Sequence, residues 1–216
     1  MSTSLRPLLL ATTNAGKATE FRRLVGGRFL VRTLDELAGS ADSNPPEVEE
    51  TGESYYENAL KKALRYFAWA KTVAAKDGAA PLPVLADDSG IELDALGGLP
   101  GVYSARFGGE DLSWPARWQH LQDELQTTGP GPWPARFRCV LCYYDGVHPP
   151  VFFEGTTEGS VIPAAKGTAG FGYDPIFYSD GLGATFGEAS DEKKDAVSHR
   201  ARALSAFVLA MDRDTF

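Results

Sequence analysis

The residues best suited to chemistry lie in five short segments of the chain. The first segment consists of Thr12, Thr13, Asn14, Ala15, Gly16 and Lys17. It connects a predicted strand to a predicted helix, whose start presents free N–H groups and the positive end of the helix dipole to a phosphate. It is not a Walker A loop, because Ala11 stands where the first glycine belongs and Ala18 replaces the magnesium-binding hydroxyl. An ordinary Asn-capped helix start is the alternative interpretation.

Two further segments are rich in carboxylates. Asp87-Asp88-Ser89-Gly90 ends an apolar strand, where side chains are well placed for a site. Two adjacent acids in an extended chain diverge, so one can meet a metal while the other takes a structural role. Glu50 precedes a capped helix and can supply an oxygen ligand to Mg²⁺, which usually takes one or two carboxylates. A solvated turn and a charged loop are the alternatives for these segments.

The last two segments combine glycines, aromatic rings and bases. Phe171 and Tyr173 offer rings for stacking, and Asp174 can accept hydrogen bonds. Lys194 precedes the last helix, whose first turn carries His199 and Arg200. Bases at a helix start oppose the helix dipole, which makes sense where an anion or a carbonyl is bound. A glycine-rich turn with core aromatics and an exposed basic helix start are the alternatives.

These segments must be positioned by alternating strands and helices. Strands are predicted at residues 7–12, 28–33, 83–87, 90–93, 135–144, 150–157 and 176–178, and helices at 17–25, 54–76, 113–126 and 198–212. The acidic stretch 35–50 is predicted to be a loop. Early alternation and a hairpin around Asp145-Gly146 predict an α/β fold with a mixed sheet. We expect a single domain, residues 1–216, with two lobes.

The longest predicted helix, 54–76, follows the Glu50 segment. Ser54 and Glu57 have the spacing of a capping box. Helical spacing predicts a core-facing stripe made of Tyr56, Leu60, Ala63, Phe67, Ala70 and Ala74.

Composition limits the class of protein. The chain has 216 residues, 43% of them hydrophobic, and a net charge of -8, which disfavours binding to nucleic acid or to an anionic membrane. No apolar run approaches the ~20 residues of a membrane span, and we expect a soluble cytoplasmic protein. Cys139 and Cys142 lie on a predicted strand, three positions apart and therefore on opposite faces, so we expect packed thiols.

Six motifs in order resemble the inosine triphosphate pyrophosphatase family. They are TTNAGK at 12–17, ETG at 50–52 with YENA at 56–59, ADDSG at 86–90, GGLPGVYSAR at 97–106, FGYDP at 171–175 and SHR at 198–200. The resemblance covers about residues 8–211. It implies an elongated mixed sheet flanked by helices, two lobes with an active-site cleft, and a homodimer. It also implies Mg²⁺-dependent hydrolysis of ITP, dITP and XTP to the monophosphate and pyrophosphate.

The resemblance also implies roles for individual residues. It makes residues 12–17 the phosphate-binding loop, Glu50 and Asp88 the metal ligands, and Asp88 the proton acceptor. It implies substrate contacts for Ser89, Phe171, Gly172, Tyr173, Asp174, Lys194, His199 and Arg200. Two departures are visible: Thr13 stands where many relatives have glycine, and the Gly/Pro loop 129–134 has no counterpart to assign.

Two other functions are compatible with the same motifs. One is a non-catalytic nucleotide-binding or sensing protein, and the other is a pyrophosphatase of broader nucleotide specificity. The distribution of acidic residues adds one expectation that applies to each of these functions. Eight acids and no base lie between Arg32 and Lys61, and five acids and no base between Lys76 and Arg106. Glu50 and Asp88 lie in these stretches, so nucleotide binding should depend on a divalent cation.

Overall fold

The computed structural model describes residues 5–41 and 43–213 of the chain. Its strands are β1 (Arg6–Ala11), β2 (Phe29–Thr33), β3 (Val84–Leu93), β4 (Trp133–Tyr144), β5 (Val151–Val161), β6 (Phe177–Ser179) and β7 (Ala184–Thr185). Its helices are α1 (Ala15–Leu24), α2 (Leu34–Ala41), α3 (Tyr55–Lys76), α4 (Trp114–Gln126), α5 (Asp191–Asp195) and α6 (His199–Asp212). None of the helices within these ranges is long and apolar enough to cross a bilayer.

The strands form one mixed sheet in the order β2-β1-β3-β4-β5-β6-β7. Strand β1 pairs in parallel with β2 and with β3, with Ala11 opposite Ala86. Strand β6 pairs antiparallel with both β5 and β7. The predicted mixed α/β sheet is therefore confirmed, and β4 and β5 are neighbours, as the predicted hairpin requires.

By its internal contacts the chain divides into two compact units, in agreement with the two expected lobes. Unit 1 contains the described residues up to Asp88, Val140–Phe153 and the described residues from Leu204 on. Residues 8–11 of β1 and 84–86 of the parallel strand β3 are apolar and buried there, as is typical of buried parallel strands. Helix α6 contributes Phe207, which is fully buried and packs against the rings of Phe29, Tyr143 and Phe153.

Unit 2 contains Ser89–Cys139 and Glu154–Ala203 and has a core of its own. Leu121 and Leu125 of α4 pack with apolar residues of the strands, and Phe137, Phe177 and Phe186 form an aromatic group at the centre. Burial of this many large side chains supplies most of the free energy that keeps the unit folded.

Three sequence predictions need correction. Part of the predicted loop 35–50 is helix α2, because Leu34 and Leu37 are buried and acids in its first turn favour a helix start. Asp42, in the same stretch, lies outside the described residues. The strands predicted at 83–87 and 90–93 are one strand, β3. The predicted stripe on α3 is confirmed at the buried Ala63 and Ala70, but Tyr56 is exposed and the buried face includes Asn58 and Lys62.

Other sequence predictions are confirmed. Glu57 N donates to Ser54 Oγ at 3.2 Å, so Ser54 caps α3, and the Glu57 carboxylate accepts from Glu53 N. Cys139 and Cys142 are buried thiols that form no disulfide, and burial raises the pKa of Cys142 to about 12, which makes it a poor nucleophile.

Candidate active site

The first predicted segment forms the turn between β1 and α1. Asn14 Oδ1 accepts from Lys17 N at 3.0 Å and thereby caps the helix, while Asn14 N donates to Thr12 Oγ1 at 3.2 Å. Thr13, Asn14 and Ala15 are exposed, and Thr12, Gly16 and Lys17 are half-buried. The N–H groups at the start of a ten-residue helix are thus presented at an accessible turn, as phosphate binding requires.

Lys17 is held at this turn by an acid of β3. Its Nζ donates to Asp87 Oδ2 at 2.6 Å, and the Asp87 side chain is almost completely buried. Asp87 therefore fixes the position of a cation beside the helix start. Asp88, one residue further along the strand, meets different partners, so the two adjacent acids diverge as the sequence predicts.

Asp88 is buried among polar groups of helix α3. Its Oδ2 accepts from Asn58 Nδ2 at 2.9 Å, and its Oδ1 lies 3.9 Å from Lys62 Nζ. The same Lys62 Nζ lies 3.0 Å from Glu50 Oε2. Asp88 is only 4% exposed, so a solvated turn, the alternative for this segment, is wrong.

The charges of Asp88, Lys62 and Glu50 influence the ionisation of Asp88 and Lys62. Burial raises the pKa of Asp88 to about 6, against a lowering by Lys62 and a further rise caused by Glu50. Burial disfavours the charged form of Lys62, but Asp88, Asp87 and Glu50 outweigh it and raise the pKa of its ammonium above the usual value. A buried carboxylate held in this way is a candidate proton acceptor.

The donor set around Asp88 fits a magnesium ion. Among the described residues there is no group of three or more His, Cys, Asp or Glu side chains that could hold a metal. A pair of carboxylates, Glu50 and Asp88, is nevertheless what Mg²⁺ takes when phosphate and water complete its shell. The oxygen-only donors also favour Mg²⁺ over softer metals.

Asn58 and Lys62 belong to this site although neither was expected there from the sequence. Both are polar, and on an amphipathic helix such residues are ordinarily assigned to the solvent face. A signal was present, because they are spaced i, i+4 on the helix that follows the Glu50 segment. Asn58 is fully buried, and its Oδ1 accepts from Gly52 N at 2.7 Å, so it connects the Glu50 segment to Asp88.

Gly52→Ala is expected to disturb this connection. A Cβ at Gly52 would lie 2.6 Å from Asn58 Oδ1 and 2.8 Å from Glu57 Cβ, so the loop that carries Glu50 would have to shift. We expect a loss of about 1–3 kcal/mol in the free energy of unfolding and a weaker response to metal. Urea denaturation measures the free energy of unfolding.

Gly39→Ala is the matched control for this substitution. Gly39 lies within helix α2, and a methyl group added there would meet no atom of the described residues within 4 Å outside its own stretch of helix, so alanine should be neutral or slightly stabilising. Equal unfolding free energies for Gly52→Ala and wild type would contradict the proposed tight packing of Gly52 against Asn58.

In unit 2, Asp174 and Lys194 form a buried ion pair. Lys194 Nζ donates to Asp174 Oδ2 at 2.7 Å, and both side chains are 4% exposed. The same carboxylate oxygen accepts from Phe171 N at 2.8 Å. The ammonium also lies over the rings of Phe171 and Phe186, at 5.1 and 5.4 Å from their centroids. This pair therefore fixes the 171–174 segment.

The two aromatic residues of this segment differ in their surroundings. Tyr173 is 3% exposed, packs edge-on against Trp114 and donates its hydroxyl proton to the carbonyl of Ser104 at 2.9 Å. Burial raises its pKa. Its ring belongs to the core and does not offer a stacking surface, contrary to the sequence expectation. The half-buried Phe171 ring is the one that can stack.

Both bases at the start of α6 are buried. Ser198 caps the helix, since Ala201 N donates to Ser198 Oγ at 3.2 Å. The His199 ring stacks on Phe137 with centroids 4.7 Å apart, and it is 3% exposed. Arg200 is 2% exposed, donates to Ser89 Oγ at 3.3 Å and lies over the Phe171 ring. An exposed basic helix start, the alternative interpretation, is therefore wrong.

The predicted residues thus form two groups. In unit 1, Lys17, Glu50 and Asp88 are joined by Asp87, Asn58 and Lys62. In unit 2, contacts connect Ser89, Phe171, Asp174, Lys194 and Arg200, whereas His199 packs on Phe137. The first group can bind phosphate and metal, and the second offers a ring and hydrogen-bond donors.

Comparison with known proteins gives a consistent result. A family model described as the Ham1 family matches residues 8–210. The curated dITP/XTP pyrophosphatase of Geobacter sulfurreducens is 43% identical and aligns over 92% of both chains. That of Shouchella clausii is 38% identical over 94% of both. The solved Ham1 protein of Staphylococcus aureus is 33% identical with a TM-score of 0.78, covering 97% of this chain and all of that one.

Proposed function

Because the chain belongs to the Ham1 family, we propose that it hydrolyses the non-standard purine nucleotides ITP, dITP and XTP to the monophosphate and pyrophosphate. The family resemblance found in the sequence is confirmed by that membership. The observation that carries the proposed chemistry is the buried Asp88 carboxylate, which Asn58 orients beside Lys62 and Glu50.

The unit 1 group supplies the phosphate chemistry in this proposal. The N–H groups at the start of α1 and the Lys17 ammonium bind the phosphate chain. Glu50 and Asp88 would hold Mg²⁺, which would offset the charge of the triphosphate and polarise the phosphorus. Asp88 accepts the proton of the attacking water, and Asn58 fixes the orientation of its carboxylate.

The unit 2 group supplies the recognition of the base. Phe171 stacks on the purine, backed by the cations of Lys194 and Arg200. His199 and Arg200 are buried donors that suit the 6-oxo group of hypoxanthine or xanthine. Adenine carries an amino group at that position, which cannot accept a hydrogen bond from such donors, and this gives large discrimination.

Three further properties follow from the family resemblance. We propose Mg²⁺ as the metal, because the two ligands are carboxylates and the substrate supplies phosphate oxygens. We also propose a homodimer and a cytoplasmic location, where nucleotide pools are found and where two buried thiols stay reduced.

A substrate panel tests the proposed function. With Mg²⁺ present, the protein should release pyrophosphate and not orthophosphate from ITP, dITP and XTP, with kcat/KM at least about 10²-fold above that for ATP. Pyrophosphate and orthophosphate are measured separately. Equal turnover of standard nucleotides would favour a pyrophosphatase of broader specificity. Tight ITP binding without turnover across several divalent metals would favour a non-catalytic nucleotide-binding protein.

A further inference from the structure

Lys62 occupies an unusual position between two carboxylates. Its Nζ lies 3.0 Å from Glu50 Oε2 and 3.9 Å from Asp88 Oδ1, and its side chain is 8% exposed. Asp88 is 4% exposed and Glu50 is half-buried. A buried ammonium next to two carboxylates of this kind offsets their mutual repulsion, which water alone would screen poorly at this depth.

The same two carboxylates are the ligands proposed for the metal. A divalent cation close enough to bind both carboxylates would also lie close to the Lys62 ammonium, given its distances from the same two groups. Like charges about 4 Å apart in a partly buried site repel one another by several times the thermal energy. The ammonium and the metal therefore compete for the same pair of carboxylates.

We propose that Lys62 is the resident cation of the Glu50–Asp88 pair and leaves it when the metal binds. The four-carbon stem of lysine allows this movement without a change in helix α3. In the absence of metal the ammonium holds the two carboxylates together, and with metal bound it is released from them. The inference rests on the proposed assignment of Glu50 and Asp88 as metal ligands.

Thermal unfolding with and without MgCl₂, in the absence of any nucleotide, tests the proposal. Lys62→Met keeps the length and apolar stem of the side chain and removes the charge. Without divalent metal the variant should unfold about 10 °C below wild type, because two carboxylates lose their cation. The rise in Tm on adding MgCl₂ should be larger in the variant than in wild type. The MgCl₂ concentration at the midpoint of this rise should be about tenfold lower in the variant than in wild type.

Lys71→Met is the matched control, because Lys71 is an exposed lysine on the same helix and its loss removes the same charge. NaCl at equal ionic strength separates metal binding from screening. The rise in Tm on adding MgCl₂ should be the same in Lys71→Met as in wild type. A rise in Lys62→Met that is equal to or smaller than the wild-type rise would overturn the proposal.

A second measurement remains informative if Lys62→Met does not fold without metal. One crystal structure of wild type is determined without divalent metal and a second after a soak in MgCl₂. The position of Lys62 Nζ should differ between the two. With metal bound, the ammonium should lie beyond 4 Å from at least one of the two carboxylates; an unchanged position beside both would overturn the proposal. Neither readout involves hydrolysis, so a failure here is distinguishable from a negative substrate panel.

Discussion

Asp88→Asn is expected to lower kcat for pyrophosphate release from ITP by about 10³-fold or more. The substitution removes a proton acceptor and one of two proposed metal ligands while leaving the shape of the side chain nearly unchanged. Asn58 Nδ2 can still donate to the amide oxygen, and Lys62 still pairs with Glu50. Steady-state kinetics with pyrophosphate detection measures the effect.

The loss should not come from unfolding. Burial already raises the pKa of Asp88 to about 6, so its charge is a cost to the folded protein at neutral pH, and a neutral amide removes that cost. We therefore expect a Tm within a few degrees of wild type. Asp77→Asn, at the exposed end of α3, is the matched control and should keep full activity. Retained hydrolysis in Asp88→Asn would exclude Asp88 as the proton acceptor.

The second large effect is expected at the buried pair of Asp174 and Lys194. Removing one partner of a buried ion pair leaves a charge in the core without its counter-ion and costs about 3–5 kcal/mol. Lys194→Met and Asp174→Asn should each lower the free energy of unfolding by about that amount. The double variant should lose less than the sum of the two, because neither charge is then left behind.

Urea denaturation of the four proteins in this cycle measures the coupling. Lys193→Met is the control, since Lys193 is exposed and precedes Lys194 in helix α5. Activity should behave differently from stability. The double variant should regain stability but retain a raised KM for ITP, because the proposed contacts of Lys194 and Asp174 near Phe171 are gone. Additive stability losses would show that the pair is not coupled.

Much of the fold was predictable because the local signals agree with one another. The Asn14 turn, the Ser54 cap and the Ser198 cap each mark the start of a helix within a residue or two. The site was less predictable. The sequence placed Asp88 at the end of an apolar strand, whereas it lies within β3. The sequence also does not reveal that Asp87 pairs with Lys17 while Asp88 meets Asn58.

Two of the errors, the stripe on α3 and the role of Tyr173, have a common physical origin in buried polar groups. The stripe predicted on α3 shares Ala63 and Ala70 with the observed buried face but leaves out Asn58 and Lys62, because polar residues of an amphipathic helix are ordinarily expected at its solvent face. Their burial is favourable only when their partners, Asp88 and Glu50, are brought close by the sheet and the preceding loop. Tyr173 was expected to stack on a ligand because the partner of its buried hydroxyl, the Ser104 carbonyl, is distant in sequence and is not evident from it.

The connectivity of the two units limits how the protein can be divided or recombined. Strands β3, β4 and β5 each contribute residues to both units, so neither unit is one continuous stretch of chain. A gene fragment that encodes the whole of either unit therefore cannot be excised by a single pair of cuts. Exchange of a whole unit between relatives would require crossovers within β3, β4, β5 and α6.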